Sequence, residues 1–152
     1  MVEYTVVERK QKISAPPEKV ASLIVDFHRW VDWSPWEEID PQLQRTYGGP
    51  ESGVGSTYEW SGNRKAGAGK MTITSVTPSK IDIDLDFTKP FKSQSKTHFD
   101  INADGDGSVV TWQVHTPKTM MTRIFGIFMN MDKMVGGDLD KGLTKLNTVA
   151  GS

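Results

Sequence analysis

Residues 81–87 read Ile-Asp-Ile-Asp-Leu-Asp-Phe, with four apolar side chains on one parity and three carboxylates on the other. A period of two is what a half-buried strand requires, because successive side chains point to opposite faces of a sheet. One face must then be wet, which selects an antiparallel sheet covered on a single side. The same period places Val54, Ser56, Tyr58 and Trp60 on one inward face, Met71 and Ile73 on another, then Thr97, Phe99 and Ile101, then Val110, Trp112 and Val114. Leu43, Arg45 and Tyr47 share a further strand parity, and residues 3–13, rich in Val, Thr and Tyr, supply a first strand. Six or seven strands result. They are punctuated by Gly48-Gly-Pro50, by the Gly-containing stretch 62–69 and by the hairpin turn Asp104-Gly-Asp-Gly107.

Three segments depart from this period. Ser14-Ala-Pro-Pro-Glu18 offers caps and a first-turn proline for a short helix reaching about Asp26, with Val20, Leu23 and Ile24 as its apolar stripe. Next, Trp30, Trp33 and Trp36 fall three residues apart in a short helix or turn that Pro35 interrupts; they either cover one end of the core or rim a binding cavity. After Thr116-Pro117 the spacing lengthens to three and four through Ile124, Phe128, Met131, Val135, Leu139, Leu143 and Leu146, which predicts C-terminal helix. The spacing leaves open whether residues 118–147 form one helix or two. Gly136, Gly137 and Gly142 each cost about 1 kcal/mol relative to Ala inside a helix, so close packing or a kink must compensate.

A sheet with one apolar face and a long helix with one apolar stripe bury each other. The predicted fold is therefore α+β: a curved antiparallel sheet of six to seven strands wrapped around a long C-terminal helix, with two short helices after the first strand. A twisted sheet curling around a single helix about 10 Å across leaves room for a cavity between them. With 152 residues and no linker or repeat, the chain reads as one domain over 1–152.

The chemistry is bounded as much by what is missing. The sequence contains no cysteine, which excludes disulfides, a thiolate nucleophile and cysteine-ligated metal sites. Its 18 Lys and Arg against 19 Asp and Glu give a net charge of −1, so no basic field for nucleic acid is expected. No apolar run is long enough to span a membrane, and a cytoplasmic location is expected. Asp82-x-Asp84-x-Asp86 runs into Phe87 where a calcium loop needs Gly, and no phosphate-loop, zinc-protease or hydrolase motif occurs. No metal and no cofactor are expected. Among the inward sets of the strands from Val54 onward only Tyr58 titrates, while His98 and His115 fall on the solvent parity. Arg45 either reaches the sheet edge or meets a ligand's acidic group. His28, in the Trp-rich turn, is a surface or capping residue or a general base at the cavity mouth. Five of the seven methionines lie between Met120 and Met134, as adaptable core filler or as a cavity wall.

Several of these stretches together resemble a known family. Ile13-Ser-Ala-Pro-Pro-Glu-Lys-Val20, Trp33-Ser-Pro-Trp36, Gly53-Val-Gly-Ser56, Tyr58-Glu-Trp-Ser-Gly-Asn63 and Gly137-Asp-Leu-Asp-Lys-Gly-Leu143 with Leu146 make the chain similar to the SRPBCC superfamily of START and Bet v 1-like helix-grip domains, in its polyketide cyclase/dehydrase-like branch. The resemblance implies a sheet gripping a C-terminal helix and a deep apolar cavity for lipids, polyketides or other hydrophobic molecules. The leading expectation is binding or carrying of a hydrophobic small molecule, lipid, polyketide or aromatic, against Trp36, Tyr58, Trp60, Met71, Leu85, Phe87, Phe99, Trp112, Phe128, Met131 and Met134. A second is a cyclase or dehydratase working in the same cavity, with Tyr58, Arg45 and His28 as catalytic candidates. A third is an interaction or self-association module using the Trp-rich segment and the Met-rich helix as an exposed patch. The chain is expected as a monomer or homodimer.

Overall fold

The computed structural model describes residues 4–37, 40, 42–63, 67–89, 92–117 and 131–151, and of residues 131–134 the backbone alone. Its strands are β1 (Tyr4–Ile13), β2 (Gln44–Gly48), β3 (Thr57–Ser61), β4 (Ala68–Val76), β5 (Lys80–Lys89), β6 (Ser93–Asp104) and β7 (Gly107–Pro117). All neighbours pair antiparallel in the order β1-β7-β6-β5-β4-β3-β2, so six of the seven follow one another as a meander and β1 closes against the last. The sheet is open and curved, and β1 and β2 are its edges.

The inward parity expected for 81–87 holds where it is most buried, at Ile81 and Ile83, and it continues across the sheet as Ile73, Thr97, Phe99, Ile101, Val110, Trp112 and Val114. Val54 is different. It was expected on the inward face, but Gly53 and Gly55, both at positive φ, turn the chain ahead of β3, and Val54 is 57% exposed.

Helix α1 (Pro17–Ile24) opens with Pro17 in its first turn and buries Val20, Leu23 and Ile24. A six-residue 3-10 helix, Phe27–Asp32, follows, capped by Asp26, whose carboxylate accepts from the His28 N–H. The Trp-rich segment belongs to the core. Trp30 Nε1 donates to the Ile24 carbonyl at 2.8 Å and Trp33 Nε1 to the Leu23 carbonyl at 2.9 Å, so two indoles satisfy carbonyls that the end of α1 leaves without helical partners. Both rings then pack on Phe99, and Trp33 also packs on Trp112. Trp30 and Trp33 are essentially inaccessible, which corrects the expectation that this segment presents an exposed aromatic patch.

Helix α2 (Met131–Ala150) lies along β1 and buries Leu139, Leu143, Leu146 and Ala150. Polar groups on β1 and just after it fix its position. Arg9 pairs with Asp140 at 3.3 Å, the Ser14 N–H donates to Asn147 at 2.8 Å, and Thr144 donates to Gln11 at 3.3 Å. The glycines mark close approach: a Cβ on Gly142 would stand 2.8 Å from the Trp112 ring and 2.9 Å from Pro35, and one on Gly136 would collide with the Arg9 guanidinium. Whether residues 118–130 continue this helix lies outside the described residues. None of the helices among the described residues is long and apolar enough to cross a membrane.

Candidate functional site

Strand register arranges the inner face in rows running across the sheet. Near the β6–β7 turn the rows are sealed: Ile13 opposes Ser108 and Val110 opposes Ile101, all buried. The next, Ile81-Phe99-Trp112, is covered by Trp30 and Trp33. At the other end two rows remain partly open. One runs Tyr47-Tyr58-Met71-Leu85-Ser95, and the next runs Arg45-Trp60-Gly69-Phe87-Ser93. Tyr47, Trp60, Leu85 and Phe87 are half-buried here, although their parity points them to the covered side of the sheet. Trp60 lies across β4 because Gly69 has no side chain, a Cβ there falling 2.5 Å from the indole. The Phe87 ring meets Trp60 edge-on at 5.7 Å.

A charged network borders this aromatic end. Glu37, in the turn after Trp36, has a side chain only 8% exposed. Its Oε2 accepts from Arg45 Nε at 2.7 Å and Nη2 at 2.6 Å, and its Oε1 accepts from the Tyr58 hydroxyl at 2.8 Å. Nearby in sequence, Asp40 accepts from the Gln42 and Asn63 N–H groups. Burial first, and the Glu37 carboxylate second, push the Tyr58 phenol well above its ordinary value of 10.0, so it is a neutral donor at any physiological pH. Tyr47 is raised for the same two reasons. Desolvation works against the Arg45 charge, but the hydrogen bond and charge of Glu37 outweigh it and raise the guanidinium above its ordinary value. The network therefore presents a fixed cation, a carboxylate and a phenol at the border of an apolar surface.

Two of the three catalytic candidates, Tyr58 and Arg45, are thus brought together, and the residue joining them, Glu37, was not anticipated. Its signal was indirect: an arginine on an inward parity needs an acid, and Glu37 stands eight residues before it. His28 sits apart from the network. Its Nδ1 lies 2.8 Å from Asp26 and its ring stacks on Tyr47 with centroids 4.1 Å apart, at the β2 edge. Among the expected ligand contacts, Tyr58, Trp60, Met71, Leu85 and Phe87 share the two rows just described. Phe99 and Trp112 do not; they stack on each other at 4.8 Å, at 0% and 1% exposure, beneath Trp33, as core rather than open surface. Trp36 packs on Trp112 and donates to Asp138 of α2 at 3.2 Å, tying the turn to the helix. Phe128 and the side chains of Met131 and Met134 lie outside the described residues. His98 and His115 stand on the outer face, where Gln113 Oε1 faces both Nε2 atoms, at 2.6 and 3.1 Å.

A groove of about 460 Å³ at the opposite end of the sheet, between Lys12, Ile13, Ser14 and the Asp104–Gly107 turn, is remote from these rows. No group of three or more His, Asp or Glu side chains placed to hold a metal occurs among the described residues.

A family described as polyketide cyclase / dehydrase and lipid transport matches residues 4–151. No curated protein matches the sequence. Among solved structures, protein CV1439 from Chromobacterium violaceum is 13% identical, with 97% of each chain covered and a TM-score of 0.69. Norcoclaurine synthase from Thalictrum flavum, solved with dopamine and hydroxybenzaldehyde, is 9% identical over 97% of this chain and 87% of its own, with a TM-score of 0.68. Ara h 8.0201 is 15% identical over 97% of this chain and 96% of its own, with a TM-score of 0.59. At these identities the likeness is one of fold.

Proposed function

The chain belongs to the polyketide cyclase / dehydrase and lipid transport family, and from that premise we propose that it binds a hydrophobic small molecule on the open rows of the inner face, against Tyr47, Trp60, Leu85 and Phe87. The observation that carries this reading is the contrast between the two ends of the sheet. One end is sealed by tryptophans and α2, while the other keeps large apolar side chains half-exposed on the inward side, beside a charged network able to orient a polar group. Binding strength follows from apolar area, at roughly 25 cal/mol per Å² before the costs of association.

The test is titration with 1-anilinonaphthalene-8-sulfonate, followed by its fluorescence, in wild type, Trp60→Gln and Phe87→Gln. Each variant is expected to weaken binding at least about tenfold, the effect of losing roughly 1.4 kcal/mol. A change below twofold in folded variants removes these rows from the site.

A second reading is favoured by the Glu37-Arg45-Tyr58 network. A buried carboxylate beside a neutral phenol and a fixed cation is equipped to hold a carbonyl and move a proton, which is the chemistry of a cyclase or dehydratase. Norcoclaurine synthase, similar in fold, is by its name a synthase and was solved with two aromatic molecules. Turnover distinguishes the readings: under the second, Glu37→Gln abolishes product formation from a polyketide-like substrate and leaves probe affinity intact.

A further inference from the structure

Inward-pointing polar groups in this sheet are nearly all matched by protein partners. Ser56 Oγ donates to the Pro50 carbonyl, Ser108 Oγ to the Ala15 carbonyl, and Thr97 Oγ1 donates to the Gln113 carbonyl while accepting from Trp112 Nε1. Ser95 breaks the pattern. It is 2% exposed, and its Oγ is the one buried side-chain oxygen among the described residues that no protein group meets. A desolvated hydroxyl without a partner is a standing cost, and such a cost in a folded protein calls for an explanation.

Its place in the fold supplies one. Ser95 pairs directly with Leu85 and stands one residue before Lys96, whose pairing with His115 begins the ladder between β6 and β7. It closes the row Tyr47-Tyr58-Met71-Leu85-Ser95, one of the two rows that form the proposed binding surface. The hydrogen-bonding groups at the two ends are separated by apolar Met71 and Leu85. Tyr58 to Ser95 is three inter-strand steps, roughly 14 Å at about 4.8 Å each.

Resting on the reading above, we infer that Ser95 is the deep polar contact of the site, its hydroxyl meeting an oxygen carried on the far end of the ligand. The favoured ligand class is an elongated apolar molecule with a hydroxyl or carbonyl at each end, one oxygen facing the Glu37-Arg45-Tyr58 network and the other facing Ser95. A plain hydrocarbon of the same shape fits the apolar floor and leaves Ser95 unmatched, and the site discriminates against it on that ground.

Calorimetric titration with biphenyl, 4-hydroxybiphenyl and 4,4′-dihydroxybiphenyl tests this in wild type and Ser95→Ala, with thermal melts of both free proteins. In wild type the second hydroxyl is expected to tighten binding by about tenfold, beyond the twofold that the symmetry of the ligand gives by itself. In Ser95→Ala that gain falls to the symmetry factor, and the Tm is unchanged or higher because an unmatched hydroxyl has been removed. An equal gain in both proteins overturns the role of Ser95 and leaves apolar binding standing, since biphenyl still binds. A Tm lowered by more than about 5 °C in Ser95→Ala also overturns it, because the hydroxyl is then structural. Failure of all three compounds to bind wild type overturns both this inference and the reading beneath it.

Discussion

At the scale of single residues, polarity on the two faces of the sheet follows different rules. On the inner face, Glu37 satisfies Arg45 and Tyr58 at once, so a half-buried guanidinium and a buried phenol share one acid. On the outer face, Gln113 does the corresponding work: its Nε2 donates to Glu8, which turns Oε1 toward His98 and His115. His115 is held below its ordinary value of 6.5, first by burial, then by His98 and Lys80, while Asp82 lies 3.8 Å from the other side of His98. A lowered folded value means that the unfolded chain takes up the proton first. Stability contributed by neutral His115 is therefore present above about pH 6.5 and is lost as pH falls below it. Urea midpoints at pH 7.5 and pH 5.0 are expected to differ less in His115→Gln than in wild type. Identical pH dependence in the two proteins removes this coupling.

At the scale of elements, the three glycines of α2 are equivalent in sequence and not in structure. Gly142 faces Trp112 and Pro35 at distances that leave no room for a methyl group, whereas nothing lies within 4 Å of a Cβ built on Gly137. Gly137→Ala is accordingly expected to stabilise the protein by up to about 1 kcal/mol through helix propensity. Gly142→Ala is expected to destabilise it by about 1–3 kcal/mol through overpacking, in spite of the same propensity gain. Denaturant melts read both signs, and a stabilising Gly142→Ala refutes the close approach. The sequence spoke clearly where a periodicity was local, as at Ile81 to Phe87 and Leu139 to Leu146, because each residue's environment follows from its neighbours along the chain. It spoke less where the environment comes from elsewhere. Glu37 sits in an irregular turn with no period to flag it. Ser95 shares the inward parity of Thr97, Phe99 and Ile101, but as a polar residue at the start of β6 it carries no apolar signal to mark it as buried. Phe99 and Trp112 were correctly placed on the inner face, yet which rows of that face are sealed depends on the indoles of Trp30 and Trp33, which no strand pattern reveals.

At the scale of the whole molecule, β1 and α2 come from opposite ends of the chain and lie against each other, while β6 and β7 occupy the interior of the sheet with paired neighbours on both sides. β2 is five residues long and pairs with β3 alone. Native-state hydrogen exchange should therefore show β6 and β7 amides opening only with global unfolding, and β2 amides exchanging through a local opening of lower free energy. Protection of β2 equal to that of β7 contradicts this ordering. The division of the inner face into sealed and half-open rows has a further consequence, in evolutionary terms. Each of the long strands β4, β5 and β6 carries residues of both kinds, so a single strand runs from the sealed core into the half-open surface. Under the proposed function, lineages that exchange side chains at Arg45, Trp60 and Phe87 alter recognition and keep the tryptophan-sealed half intact. Under that proposal the row, more than the strand or the domain, is the unit on which specificity would diversify.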